Sequence, residues 1–128
     1  MFELKVITRF AAAHQLKMVA EQCENLHGHN WKIEVCVTGD SLNSAGVLID
    51  FGELKEHIAV IIDSLDHTFL NELESFKNGN PSSENIAFYI AHELQPIVSE
   101  LGINVSSVTA WESDNACATF KYQIEPRS

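Results

Sequence analysis

The chain is predicted to fold as an α+β protein, a four-stranded, mainly antiparallel sheet with two helices on one face. Residues 2–14 and 29–38 alternate apolar and polar with a period of two, as half-buried strands do. Residues 51–65 and 81–101 change to a helical period, and 105–112 and 116–122 return to strand-like runs. The element order is therefore strand, strand, helix, helix, strand, strand. A sheet built this way keeps exposed edges unless subunits pair or close it into a barrel.

The first strand places Phe2, Leu4, Val6, Thr8, Phe10, Ala12 and His14 on one face. Residues 15–26 form a long connection that holds Cys23 and Glu24, and connections of that length often carry function. In the second strand His29, Trp31, Ile33, Val35 and Val37 share a face, with His27 in the same phase. Residues 39–46 read as a turn or loop, and residues 47–49 as a short apolar strand piece. Asp50-Phe51-Gly52-Glu53 has capping-box form and opens a helix to about Leu65, with Leu54, Ile58, Ile61, Ile62 and Leu65 inward. Asp66-His67 falls at its C-terminal end. After a polar loop at 71–80, Asn80-Pro81 is expected to start the second helix. Ile86, Tyr89, Ile90, Leu94, Ile97 and Leu101 form its apolar side, Pro96 should kink it and Gly102 should end it. Ser113-Asp114-Asn115 is the turn between the last two strands.

At 128 residues, residues 1–128 make one domain, with 45% hydrophobic and 20% charged residues, ordinary for a globular fold. The net charge of −10 argues against nucleic acid or an anionic membrane surface as the main partner. It also has a plainer reading, as a solubility device. No apolar run is long enough for a membrane span, and the charged, alternating N-terminus does not read as a signal peptide. Three cysteines (Cys23, Cys36, Cys117) without a CxxC pair give no disulfide framework, so a reducing cytoplasm fits. Cys36 and Cys117 are expected to pack.

Chemistry concentrates in Cys23-Glu24-Asn25-Leu26-His27-Gly28-His29, read together with His14. Two histidines one residue apart point to the same side of a strand, and three imidazoles with an open position make the usual catalytic zinc arrangement. The plain alternative is three polar residues at strand ends. Cys23 has three readings, an inert buried thiol, a fourth ligand that closes the site and a thiolate base, and its spacing supports the last two equally. Glu24 alone reads as a solvated loop carboxylate. Asp66-His67 is an acid–imidazole pair suited to proton transfer, or a histidine favoured by a helix C-terminus. Glu112 shares a face with Val108 and Ala110, where a buried carboxylate needs a partner. It would suit a ligand offering two adjacent N–H donors, or it turns to solvent at the strand end. His57 and His92 read as surface residues. The eight basic residues (Lys5, Arg9, Lys17, Lys32, Lys55, Lys77, Lys121, Arg127) form no cluster in sequence.

Together these segments resemble the 6-pyruvoyl-tetrahydropterin synthase / 6-carboxytetrahydropterin synthase family. The resemblance spans nearly the whole chain. It is carried by Phe10-Ala-Ala-Ala-His14, Cys23-x-x-x-His27-Gly28-His29-Asn30, Gly46-Val-Leu-Ile-Asp50-Phe51, Leu65-Asp66-His67, Asn80-Pro-Ser-Ser-Glu84-Asn85-Ile-Ala and Trp111-Glu112. It implies the tunnelling fold, with sheets from three subunits joined into a barrel, two barrels forming a homohexamer, and sites at subunit interfaces. It implies that His14, His27 and His29 bind Zn2+, that Cys23 is the general base, and that Asp66 and His67 of a neighbouring subunit relay protons. Glu112 would anchor the pterin ring, with Ser83 and Glu84 lining its pocket.

The implied substrate is 7,8-dihydroneopterin triphosphate. A cysteine in the position of Cys23 resembles the bacterial enzymes of queuosine biosynthesis, which make 6-carboxytetrahydropterin and acetaldehyde. Glu-x-x-His-Gly-His, which Glu24 completes, is the mark of a folate-pathway subgroup that makes 6-hydroxymethyl-dihydropterin. The combined Cys23-Glu24 pattern resembles a subgroup credited with both activities. A 6-pyruvoyl-tetrahydropterin synthase is the third reading, and a pterin-binding module or structural zinc protein is the non-enzymatic one.

Overall fold

The computed structural model describes residues 1–16 and 26–123, apart from the side chain of His27. Cys23 and Glu24 lie outside the described residues. Two long strands, β1 (Phe2–His14) and β2 (His27–Gly39), pair antiparallel from Phe2 opposite Gly39 to His14 opposite His27. Then come α1 (Phe51–Asp63), β3 (Thr68–Phe69), two short 3-10 turns, α2 (Ser83–Ser99), β4 (Asn104–Ser113) and β5 (Ala116–Lys121). The sheet order is β3-β1-β2-β4-β5.

The sheet therefore has five strands where four were expected, and it is mixed, because β3 runs parallel to β1 at Ala12 and Ala13. No apolar run announced a strand of two residues. It forms because the chain reverses at His67, whose φ of 57° lies in the left-handed region that few side chains but histidine, asparagine and aspartate enter. The His67 N–H donates to the Ala11 carbonyl, and the Ala11 N–H donates to Asp66 Oδ1 at 2.9 Å. Asp66 and His67 thus pin the end of the α1 connection to the edge of β1. Among the described residues the sheet stays open, with β3 and β5 as its edges.

Both helices cover one face. Val6, Phe10, Trp31, Ile33, Val35, Val105, Val108 and Ala110 of the sheet join Leu54, Ile58, Ile61 and Ile62 of α1 in one apolar cluster. α2 adds Ile86, Ala87, Ile90, Ala91, Leu94 and Val98. Tyr89 and Ile97 fall at the border of its buried face and Leu101 is exposed. The small Ala87 and Ala91, absent from the predicted face, are buried where α2 packs on β4 and β5.

The helix ends obey local chemistry. Asp50 caps α1 by accepting the Glu53 N–H at 3.2 Å, as its sequence foretells. α1 stops at Asp63, short of Leu65, because the Ser64 and Leu65 N–H groups turn back to the Ile61 and Ile62 carbonyls. α2 starts two residues later than Asn80-Pro81 suggested: Ser82 is the cap and accepts the Asn85 N–H at 3.1 Å. Asn80 lies before the helix, with its carbonyl accepting from the Asn85 side-chain amide. The helix continues through Pro96 to Ser99. It closes with the Ile103 N–H on Val98 O and the Gly102 N–H on Ser99 O, a Schellman ending that requires Gly102 at φ 81°. Residues 47–49 are not a strand; the Asn43 side chain gathers the Ala45 and Val47 N–H groups into a turn, and Ile49 plugs the core. Cys36 packs as expected, but Cys117 is exposed, since β5 presents its outward residues at an uncovered sheet edge.

Candidate metal centre

The inner face of β1 and β2 ends in polar residues. The register sets Ala12 opposite His29 and His14 opposite His27, so His14 and His29 reach the same end of the same face. His14 is fully buried and His29 keeps about a quarter of its side chain exposed. The fully buried indole of Trp31 stands edge-on to both rings, 5.2 Å from His14 and 5.5 Å from His29 by centroids. It leaves each imidazole little rotational freedom.

Glu112 approaches from β4. The β4–β5 register shifts between Trp111 and Ser113, making Glu112 the bulged residue, and bulges commonly re-aim a side chain. Its Oε1 lies 2.9 Å from His29 Nε2 and 3.2 Å from His14 Nε2. The carboxylate on an apolar strand face thus has its partners, two imidazoles.

The tautomer of His14 follows from its other nitrogen. Nδ1 lies 2.8 Å from the Pro81 carbonyl, which can only accept, so Nδ1 carries the proton. Nε2 is the nitrogen that faces the carboxylate oxygen, and the two atoms can share either a proton, as an imidazolium–carboxylate pair, or a metal ion. The nitrogens of His14 and His29 and the oxygen of Glu112 all lie within 4.8 Å of one another. This donor set fits a divalent metal, and the Pro81 bond is the outer-shell support that metal-binding histidines usually have. His27 begins β2 opposite His14, with its side chain outside the described residues.

Asp66 and His67 also form a built pair. Asp66 Oδ2 lies 3.0 Å from His67 Nδ1, and the His67 ring is largely exposed. The Ala11 N–H, with His67 adding to it, holds the Asp66 carboxyl below the usual carboxylate range. His67 and His29 line one cleft of about 430 Å³, together with Ala11, Ala13, Gly28 and Asn30. A side-chain carbon added at Gly28 would meet only the Ala12 carbonyl, at 3.8 Å, so this glycine leaves the cleft open. Ser83 and Glu84 lie in the first turn of α2, just after the Pro81 carbonyl that holds His14. His92 is exposed and His57 partly so, and neither joins the centre.

Sequence reading missed three supports of the site. Trp31 was visible only as a core residue in phase with His29. The Pro81 carbonyl has no side-chain signal at all. Asn71 clamps Gln15 from both sides, taking its N–H at 2.8 Å and donating to its carbonyl, where β1 leads into the segment that carries Cys23.

Comparison with known proteins identifies the family and the fold. The family described as 6-pyruvoyl tetrahydropterin synthase matches residues 3–123. A 6-carboxy-5,6,7,8-tetrahydropterin synthase of Synechocystis is 34% identical over 117 residues, covering 87% of this chain and 86% of that protein. A dihydroneopterin monophosphate aldolase of Pyrococcus furiosus is 32% identical over 105 residues, covering 82% and 84%. The structure of Caenorhabditis elegans 6-pyruvoyl tetrahydropterin synthase superposes with a TM-score of 0.84 at 26% identity, covering 95% of this chain and 96% of that one. A Plasmodium vivax enzyme of the same description, carrying alanine at a catalytic glutamate, superposes with a TM-score of 0.79 at 25% identity over 96% and 98% of the two chains.

Proposed function

The chain belongs to the 6-pyruvoyl tetrahydropterin synthase family, and from that premise we infer that it is a zinc-dependent 6-carboxytetrahydropterin synthase. It converts 7,8-dihydroneopterin triphosphate and water to 6-carboxytetrahydropterin, acetaldehyde and triphosphate, serving queuosine biosynthesis in the cytoplasm. The observation that carries the reading is the convergence of His14, His29 and Glu112 at the strand end, directly after the Cys23-to-His29 motif. His14, His27 and His29 would hold Zn2+, which supplies a Lewis acid that acidifies the substrate's side-chain hydroxyls and the neighbouring C–H bonds.

The remaining steps belong to the protein. Glu112 leaves the imidazoles to accept the amino and ring N–H groups of the pterin, with Ser83 and Glu84 lining that pocket. Cys23 as thiolate removes a side-chain proton. Asp66 stays ionised beside His67 and keeps that ring oriented to carry protons to and from the substrate. The family resemblance draws this pair from a neighbouring subunit of a homohexamer, although His67 of the same chain borders the cleft that His29 lines. Mixing Cys23→Ala and His67→Ala subunits separates these cases. Activity returns in the mixed oligomer if the two groups act across an interface.

The second reading is 6-hydroxymethyl-dihydropterin formation for folate, alone or beside the first activity. Glu24 favours it, and the Plasmodium vivax relative with a catalytic glutamate gives it weight. The third reading, 6-pyruvoyl-tetrahydropterin synthesis, draws on the C. elegans structure. Mass spectrometry of products from zinc-loaded protein and 7,8-dihydroneopterin triphosphate decides among the three. Acetaldehyde with 6-carboxytetrahydropterin supports the assignment, and 6-hydroxymethyl-dihydropterin or 6-pyruvoyl-tetrahydropterin as sole product overturns it. Cys23→Ala adds a second test: turnover falls with zinc retained if Cys23 is the base, whereas zinc loss makes it a ligand.

A further inference from the structure

We propose that a second cleft, on the sheet face away from the helices, binds the triphosphate tail of the substrate through Arg9 and Lys32. This inference rests on the pterin triphosphate reading above and assigns residues to the part of the substrate which that reading leaves unplaced. The fold gathers what the sequence scatters. Arg9 pairs with Lys32 across β1 and β2, and Lys32 pairs with Trp111 across β2 and β4. Neighbouring strands lie about 4.8 Å apart, so the three side chains form one row across the sheet. Their strand neighbours Phe10, Trp31 and Ala110 are buried on the opposite face. The row borders a cleft of about 300 Å³, completed by Asn30, Ser113 and Asp114.

Two features make this cleft a polyphosphate site. Arg9 has no carboxylate partner among the described residues, so its fork of N–H donors is available for bidentate phosphate contacts. Lys32 lies 5.7 Å over the Trp111 ring and 3.7 Å from Glu34, which hold the ammonium beside the cleft. Two cations on one cleft are notable in a chain with eight basic residues against eighteen acidic ones. Asp114 and Glu34 oppose an anion; Asp114 is exposed on the β4–β5 turn, where water screens it, and the Glu34 carboxylate is shared between Lys5 and Lys32. Asn30 lines both this cleft and the one shared by His29 and His67, so the two adjoin. A tail held by Arg9 and Lys32 therefore extends from the pterin side chain without crossing the apolar core.

Isothermal titration of inorganic tripolyphosphate into the zinc-loaded protein, with bound zinc measured afterwards, tests the assignment. Arg9→Gln and Lys32→Gln should each weaken binding about ten-fold or more, the loss of one charge-assisted hydrogen bond. Asp114→Asn should strengthen it, and Lys77→Gln, which alters a lysine paired with Glu74 elsewhere, should leave it unchanged. Arg9 and Lys32 sit on the strand surface, so these variants should fold. The cleft assignment is overturned if tripolyphosphate fails to bind at millimolar concentration or if the Arg9→Gln/Lys32→Gln protein binds it like the parent. The KM for 7,8-dihydroneopterin triphosphate separates the two levels. Turnover with an unchanged KM in the double variant sinks the cleft and leaves the activity standing. Tripolyphosphate binding that follows the predicted pattern without turnover upholds the cleft and sinks the activity.

Discussion

Replacing Glu112 by alanine tests the centre most directly. In the free protein one carboxylate oxygen meets the Nε2 atoms of His29 and His14 at 2.9 and 3.2 Å. To anchor a pterin, that carboxylate must exchange those contacts for two N–H donors of the ring. Two charge-assisted hydrogen bonds contribute about 3–6 kcal/mol in total. Giving up the imidazole contacts offsets about half, which leaves about 1.5–3 kcal/mol of net substrate binding. Glu112→Ala should therefore raise the KM for 7,8-dihydroneopterin triphosphate by about 10- to 150-fold. Bound zinc should stay near one per chain, because the histidines remain. Steady-state kinetics paired with metal analysis by atomic emission reads both quantities. An unchanged KM would refute the anchoring role. Lost zinc at unchanged KM would instead make Glu112 a resident ligand, as its distance to both histidines also permits.

The other expectations are simpler. Ser82→Ala removes the cap on the first turn of α2 and should cost about 1 kcal/mol of stability, read as a lower urea midpoint at unchanged slope. It should also lower zinc affinity, because Pro81 precedes that cap and its carbonyl orients His14; equal affinity would show that Pro81 is held independently. Between the two described cysteines, Cys117 should react with a thiol reagent first and Cys36 only slowly, since burial raises the Cys36 pKa and depletes its thiolate at any given pH. Single-cysteine variants measured across pH check the order, and equal rates would contradict the burial. The Asp66 pKa is lowered on folding, so its contribution is fully present above the ordinary aspartate value of 3.8 and is lost as pH falls through the lower native value. Asp66→Asn should therefore flatten the acid limb of stability relative to the parent in urea titrations, and superimposable limbs would count against the Ala11 bond as its cause.

Much of this protein was written in local pattern. Period-two alternation located β1 and β2 and placed His14, His29 and Trp31 on one face, since successive residues of a strand must point to opposite sides. Asp50 announced its helix because a cap is chemistry between residues three apart. Whatever depended on distant segments was silent. β3 exists only because Ala11 offers its backbone to Asp66 and His67. The Pro81 carbonyl that sets the His14 tautomer is contributed by backbone, which no residue type encodes. Asn80-Pro81 misled as a helix start because Ser82, another good capping residue two positions on, accepts the Asn85 N–H instead.

From the sequence alone came the residue types able to hold a metal and move protons, and their spacing along two strands, because ligand chemistry and strand period are local properties. Only the tertiary structure decided that Glu112 meets His14 and His29 and that Arg9, Lys32 and Trp111 form one row. Those juxtapositions depend on strand register and on a bulge in β4, which are settled by packing the whole sheet against its helices.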